Sequence, residues 1–143
     1  MTQQPQQMNQ EQLSTWVREQ FQRANKHLAE NGVMYESVVT QDSRYLAPYV
    51  AVWKIKALDN KFYWVISGDV PCDFMPVENE KTAREAIRHF SLLWQLKAEN
   101  LQKGGELDKT QQEFVDLLVS RAEGLYRIYD QKDLWQEVQG GKV

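Results

Sequence analysis

The chain has 143 residues, a length that fits one domain with a substantial hydrophobic core and leaves too little for two full domains. Its 20 acidic and 17 basic residues give a net charge of -3. No general electrostatic attraction therefore draws it to nucleic acid or to anionic lipid. The single cysteine, Cys72, excludes an intrachain disulfide framework and fits a reducing compartment.

The N-terminal residues are rich in glutamine and contain neither the basic segment nor the apolar core of a secretory signal. No apolar run approaches the roughly 18 residues of a membrane span. We therefore predict a cytoplasmic protein without a membrane partner. Residues 1–9 are predicted to be a disordered lead-in, residues 10–138 a single α+β domain and residues 139–143 a flexible tail.

A first helix is predicted from Gln10 to the pair Asn31 and Gly32. Apolar residues recur through this segment at intervals of three and four, which places them on one helical face. They are Leu13, Trp16, Val17, Phe21, Ala24 and Leu28. The Asn-Gly pair is typical of a helix end, because both residues accept the left-handed backbone conformation that follows the last turn.

Two runs of aromatic and β-branched residues predict an antiparallel β-hairpin. Residues 49–57 alternate in side-chain character, and residues 62–67 follow after a short turn sequence. Val38 and Val39 indicate one short edge strand in an otherwise irregular stretch. The hairpin is the strongest strand signal in the chain.

A central helix is predicted to begin after Thr82 and to end near Gln102. Thr82 and Glu85 have the spacing of a capping box, in which two side chains satisfy the free N–H groups of the first turn. Projection onto a helix gives a broad apolar arc with His89 and Leu96 at its edge. The arc consists of Ala83, Ala86, Ile87, Phe90, Leu93, Trp94 and Leu101.

A third helix is predicted from the capping pair Asp108 and Gln111 to about Tyr129. Its expected buried stripe consists of Phe114, Leu117, Leu118, the aliphatic part of Arg121, Leu125 and Ile128. A last helical turn is expected over residues 133–138. The predicted fold class is therefore α+β: an N-terminal helix, an antiparallel β-hairpin with an optional third edge strand, and two long antiparallel helices packed on the sheet.

The corner, residues 68–73, contains the first candidate site, because a strand there gives way to a helix. Its carboxylates Asp69 and Asp73, together with Glu85 and His89 one turn apart on the central helix, are candidates for acid–base catalysis. Asp69, Asp73 and His89 are also candidate ligands for a divalent metal. The competing interpretation is structural: the aspartates hydrogen-bond to backbone N–H groups of a turn, and the histidine packs at the edge of a core.

Cys72 lies in the same corner and could in principle be a nucleophile. A thiolate is disfavoured there, because the neighbouring aspartates should raise the thiol pKa. We interpret Cys72 as a small buried apolar residue.

A second candidate is a binding surface that combines basic and aromatic side chains. Arg44, Tyr45, Arg84 and Arg88 are its main members, with lysines and tyrosines of the hairpin nearby. Such a mixture can stack on the bases of single-stranded nucleic acid. The acidic net charge argues against a nucleic-acid partner, and exposed tyrosines and lysines also protect strand edges.

Three segments carry a resemblance to a known family: residues 63–71, with the sequence YWVISGDVP, residues 83–91, with AREAIRHFS, and residues 94–100, with WQLKAEN. They resemble a bacterial family of small uncharacterised proteins, the domain of unknown function 4826, and the likeness extends from about Trp16 to Trp135. The resemblance implies a soluble bacterial protein of about this size. It implies no activity, so no catalytic residue can be assigned from it.

The sequence favours a non-enzymatic cytosolic module that binds a protein partner or a small ligand, since no signature of a particular reaction is present. The alternative is a metal-assisted or acid–base enzyme with its site at the corner and on the helix that bears His89. No cofactor is predicted for the first hypothesis, and a divalent metal belongs to the second. The two hypotheses differ in geometry, because the enzyme requires its side chains to converge on one pocket.

Overall fold

A computed structural model describes residues 8–135. Most of the predicted lead-in, the predicted tail and residues 136–138 of the predicted last helical turn lie outside this range. The chain divides into two units, Met1–Ala83 and Arg84–Val143. Within the described range, no helix is both long enough and apolar enough to cross a membrane.

The first unit begins with helix α1, Gln10–Glu30, as the apolar spacing predicts. Asn9 caps it with a reciprocal pair of hydrogen bonds: its Oδ1 accepts from the N–H of Gln12 at 2.7 Å, and its own N–H donates to Gln12 Oε1 at 3.1 Å. At the other end Gly32 adopts a φ of 82°, which confirms the predicted helix end.

An antiparallel sheet follows α1, and it is larger than the predicted hairpin. The strands are β1 (Tyr35–Val38), β2 (Arg44–Leu46), β3 (Val50–Ala57), β4 (Phe62–Gly68) and β5 (Asp73–Pro76). The predicted hairpin corresponds to β3 and β4, which pair from Val50 opposite Gly68 to Lys56 opposite Phe62. The order is β1, β3, β4, β5, with β2 also paired to β3.

Strand β5 corrects the prediction for the segment after the corner. The sequence suggested a strand that passes directly to a helix, whereas residues 73–76 return alongside β4, with Asp73 opposite Ile66. This strand has only four residues and ends in a proline, so its alternation is too short to be recognised from sequence. Asp69 and Asp73 therefore flank a turn between two paired strands.

Strands β1 and β2 form one edge of the sheet in two pieces. Between them, a 3₁₀ turn at Thr40–Asp42 leaves the ladder. The hydroxyl of Ser43 fills the gap: it donates to Val39 O at 2.8 Å and accepts from the N–H of Lys54 at 2.9 Å. The single predicted edge strand is thus two short strands whose interruption is stabilised by one buried serine.

The core of the first unit lies between α1 and one face of the sheet. Ala24 and Leu28 of α1 pack there with alternate residues of the two central strands, and all of these side chains are buried. The sheet residues are Ala51, Trp53, Ile55 and Val65. Residues on the opposite face of β3 and β4, including Val52, Trp64 and Ile66, are buried as well.

The second unit is an antiparallel pair of helices, α2 (Ala83–Lys103) and α3 (Lys109–Asp130). The capping box of Asp108 and Gln111 is present, as predicted. Early α2 meets late α3, since Arg84 Nε donates to Tyr129 O at 3.0 Å and Ser91 Oγ donates to Ala122 O at 2.7 Å. Residues 132–135 are also helical.

Some residues that were predicted to be buried on the two helices are exposed. Most of the α2 arc is buried, but Leu93 is exposed. On α3, Leu118 and Leu125 are buried as predicted, whereas the prediction was wrong for Phe114 and Leu117, which are exposed. The buried positions include small residues, Ser91, Ala98 and Ala122. The hydrogen bond from Ser91 Oγ to Ala122 O shows that small residues take part in the contact between the two helices, which a search for large apolar residues overlooks.

Candidate functional site

An open groove of about 430 Å³ lies in the first unit between the N-terminal half of α1 and the sheet. We call it the α1–β2 groove. Its lining consists of Gln10, Leu13, Ser14, Val17, Arg18, Phe21, Val38, Tyr45 and Trp53. The volume lies within the range of about 300–1,000 Å³ that is typical of small-molecule sites.

The helical side of the groove follows from the spacing of residues on α1. Leu13, Val17 and Phe21 are four residues apart and form an apolar stripe. Gln10, Ser14 and Arg18 have the same spacing and form a second stripe beside it, made of an amide, a hydroxyl and a guanidinium group. The groove therefore has an apolar wall with a polar rim along the helix.

The sheet side of the groove depends on the divided edge. Val38 is the last residue of β1 and Tyr45 the central residue of β2, so the two stand on either side of the 3₁₀ turn. Tyr45 pairs with Ala51 and lies on the α1 side of the sheet, where Trp53 is also found. Two residues that flank the break in the edge strand, Val38 and Tyr45, thus supply part of the sheet side of the groove.

Three aromatic residues, Phe21, Tyr45 and Trp53, line the groove next to one another, and we call them its floor. The Phe21 ring meets Trp53 edge-on at a centroid distance of 5.3 Å, and the Tyr45 ring is tilted over Trp53 at 6.0 Å. Tyr35, next to Phe21, makes a further edge-on contact at 5.3 Å. Trp53 is almost completely buried, whereas Tyr45 is 49% exposed. Tyr45 therefore contributes an accessible ring and Trp53 a fixed base.

One hydrogen bond fixes the Trp53 indole, and a second holds the acceptor of that bond in place. Its Nε1–H donates to Ser67 Oγ at 3.1 Å, and this hydroxyl donates to Gln20 O of α1 at 3.0 Å. Because Ser67 is fully buried, water does not compete for either bond. The chain of hydrogen bonds links β3, β4 and α1 and starts at Trp53, which lines the groove.

Arg18 is the charged side chain that lines the groove. Among the described residues it has neither an ion-pair nor a hydrogen-bond partner. Two acidic groups of the first unit bind lysines instead: Asp42 with Lys54 at 3.0 Å, and Glu36 with Lys56 at 3.8 Å. Arg18 is therefore the one charged group among the described residues that line the groove, and it is positive.

At the corner, the described hydrogen bonds are largely those of a turn. The N–H of Asp69 donates to Tyr49 O at 2.9 Å, and Asp73 Oδ1 accepts from the N–H of Phe74 at 2.8 Å. Arg23 Nη1 donates to Gly68 O at 2.6 Å and so connects the corner to α1. Asp73 thus makes the kind of backbone hydrogen bond that the structural interpretation of the corner predicts.

Glu85 and His89 lie one turn apart near the start of α2, where Glu85 is exposed and His89 half-buried. Within either unit, the described residues contain no group of three His, Cys, Asp or Glu side chains that could hold a metal ion. The four-residue constellation takes Asp69 and Asp73 from one unit and Glu85 and His89 from the other. It stays a prediction.

The thiol of Cys72 is half-buried, and burial is the main reason that its pKa is raised. Arg23 opposes this shift, while Glu30 and Asp73 add to it. The direction agrees with the expectation from sequence, although the carboxylates are a smaller cause than desolvation. A raised pKa leaves little thiolate near neutral pH.

The four candidates of the basic and aromatic surface have different environments. Arg44 Nη1 donates to the carbonyls of Gln41 and Ser43 at 3.1 and 2.7 Å, next to the 3₁₀ turn. Arg84 lies over the rings of Tyr129 and Trp135 at 5.0 and 5.8 Å. Arg88 is exposed on α2. Tyr45 alone of the four lines the α1–β2 groove.

Sequence reasoning missed most of the groove. Val17 and Phe21 were placed on the apolar face of the first helix, because periodicity identifies such a face without showing which part of it stays uncovered. The available signal was the pairing of a polar stripe with an apolar stripe on α1, which places Arg18 beside Phe21.

Comparison with known proteins identifies a family. A family model described as a domain of unknown function, DUF4826, matches residues 10–135, which is most of the chain. No curated protein and no solved structure matches the chain. The resemblance found in the sequence is confirmed, and it carries no activity with it.

Proposed function

We propose that this chain, which belongs to the DUF4826 family, is a bacterial cytoplasmic, non-enzymatic module that binds a small organic ligand in the α1–β2 groove. The observation that carries the proposal is the groove itself. An apolar floor of aromatic rings is bordered by an amide, a hydroxyl and a guanidinium group. Small-molecule sites have this composition: mainly apolar surface with a few polar groups that fix orientation.

The fixed position of the floor supports this proposal. Trp53 is restrained by its hydrogen bond to Ser67 and by edge-on contact with Phe21. A ligand that packs against side chains already held in place loses its own freedom but imposes little further ordering on the protein. The accessible Tyr45 can cover the ligand from the sheet side, since its described ring contact is with Trp53 alone.

The side chains in the groove favour binding over catalysis. The described lining consists of aromatic and aliphatic groups with one amide, one serine hydroxyl, one phenol and one guanidinium group. A serine hydroxyl needs an adjacent base to become a nucleophile. The neighbours of Ser14 in the groove can bind and orient a ligand. None of them can accept the proton of the Ser14 hydroxyl near neutral pH, since the nearby arginine stays protonated.

The proposal can be tested with a thermal-shift screen of small organic metabolites against the wild type and two variants. Tyr45→Ala removes the accessible ring of the groove. Tyr49→Ala is the matched control, because Tyr49 is 50% exposed against 49% for Tyr45 and does not line the groove. A groove ligand should raise the melting temperatures of the wild type and of Tyr49→Ala by similar amounts. The rise for Tyr45→Ala should be much smaller. Equal shifts in both variants, or no stabilising compound at all, would contradict the proposal.

A further inference from the structure

We infer that the α1–β2 groove selects ligands that combine a flat apolar body with one carboxylate, and that Arg18 binds the carboxylate. The inference rests on the proposed function and names the class of ligand. Its basis is the arrangement of the two stripes of α1 and the charges around them.

The two stripes are parallel, so a ligand can contact both at once. The apolar stripe of Leu13, Val17 and Phe21 continues into the Trp53 floor, where a flat apolar body can pack. Arg18 is one position after Val17 and three before Phe21. Its guanidinium can therefore reach the end of a ligand that lies against Phe21, while its aliphatic part remains beside the apolar wall.

The electrostatic arrangement favours an anion at this end of the groove. Asp42 and Glu36 are bound to lysines, and Arg18 has no acidic partner among the described residues. The acidic residues Glu11 and Glu19 of α1 do not line the groove. A planar guanidinium donates two parallel hydrogen bonds to a carboxylate, so a carboxylate matches it in both charge and shape.

A cationic ligand is the clearest competitor, because aromatic floors also bind cations over their ring faces. The Arg18 guanidinium would repel an ammonium group at the rim. Whether the groove prefers an anionic or a cationic ligand therefore distinguishes carboxylate binding by Arg18 from cation binding over the aromatic rings.

The experiment uses three probes with the same ring system: 2-naphthoate, neutral 2-naphthamide and cationic 2-naphthylmethylamine. Affinities are measured by calorimetry at low salt with the full chain. We expect naphthoate to bind about fivefold more tightly than naphthamide, the size of one exposed charge pair, and the amine to bind most weakly. Arg18→Gln should abolish this preference and leave naphthamide affinity within about twofold. Added salt should weaken naphthoate binding alone.

Two control variants test whether the effect is specific to Arg18 and whether it depends on the guanidinium group. Arg88→Gln removes an exposed arginine of α2, outside the groove, and should leave all three affinities unchanged. Arg18→Lys retains the charge without the planar fork and should keep part of the naphthoate preference. Circular dichroism checks that each variant is folded.

The outcomes distinguish this inference from the proposed function. If naphthoate and naphthamide bind equally, with both weakened by Tyr45→Ala, the groove binds ligands but the carboxylate assignment is wrong. Preference for the amine, or a naphthoate preference that survives Arg18→Gln, overturns the assignment as well. If none of the probes binds, or binding is indifferent to Tyr45→Ala, both the assignment and the proposed function fail.

Discussion

At the scale of single residues, the Ser67 hydroxyl determines how firmly the groove floor is held. It accepts from Trp53 Nε1 and donates to Gln20 O, and it is fully buried. Ser67→Ala leaves the indole N–H without its acceptor in a site that water does not reach. We expect the free energy of unfolding to fall by about 1–3 kcal/mol, measured by urea denaturation.

Ser37→Ala serves as the matched control for that change, because Ser37 lies in β1 with an exposed side chain. It should change stability by less than about 0.5 kcal/mol. A Ser67→Ala variant as stable as the Ser37→Ala variant would show that the hydrogen-bond chain contributes nothing to the sheet–helix junction.

A second residue-scale prediction concerns Asp59 and Tyr63. The carboxylate of Asp59 accepts from the N–H of Lys61 and from the Tyr63 hydroxyl, both at 2.8 Å. These bonds lower the pKa of Asp59, with the Lys61 N–H the larger cause, and the hydrogen bond to Asp59 raises the pKa of Tyr63. Tyr63→Phe should therefore raise the Asp59 pKa towards its ordinary value, as followed by NMR titration of the side-chain carboxyl.

The pH dependence follows from the direction of these shifts. A lowered folded-state pKa means that the Asp59 contribution to stability is present above the unfolded pKa of about 3.9 and is lost as the pH falls through the folded value. For Tyr63 the contribution is present below the unfolded pKa of about 10 and is lost as the pH rises through the raised folded value. Tyr49→Phe is the control, and an Asp59 pKa that responds equally to both substitutions would refute the assignment.

At the scale of elements, Gly68 determines how β4 ends at the corner. Its φ is 125°, and a Cβ there would lie 2.6 Å from Tyr49 O and 2.8 Å from Val50 Cα. Gly68→Ala combines an unfavourable backbone conformation with a clash against the backbone of β3. We expect a loss of at least about 2 kcal/mol in the free energy of unfolding, measured by chemical denaturation.

Gly32→Ala separates those two causes. Gly32 has a φ of 82°, and a Cβ added there would meet no atom of the described residues within 4 Å, so only the backbone conformation is penalised. The expected loss is about 1 kcal/mol. Equal losses at the two glycines would mean that the close approach of β3 to the corner adds no cost.

The elements also show what sequence patterns can and cannot predict. Capping residues and apolar spacing predicted α1 and α3 to within a residue or two, because both signals are local. The four-residue strand β5 and the split edge of β1 and β2 were missed, since short strands form only through pairing with β3 and β4. The wrong prediction of which α3 residues are buried has a similar cause. Ala122 is in contact with α2, and a pattern built from large apolar residues does not include so small a side chain.

At the scale of the whole molecule, the candidate site was predictable only in part. Tyr45 was a candidate for a basic and aromatic surface, which stays a prediction, and the structure places it in the lining of the groove. Phe21 was expected on the apolar face of the first helix, but the sequence does not show that α1 and the divided edge leave a groove beside it and Trp53. The acid–base constellation at the corner and on α2 stays a separate hypothesis.

The central claim is that the α1–β2 groove binds a small organic ligand against Trp53. The most direct measurement is the NMR signal of the Trp53 indole N–H during titration with 2-naphthoate, with the signal assigned by Trp53→Phe. We predict a saturable shift of this resonance, with the amides of residues 13–21 of α1 shifting at the same concentrations. A Trp53 signal that stays in place throughout the titration would contradict the claim.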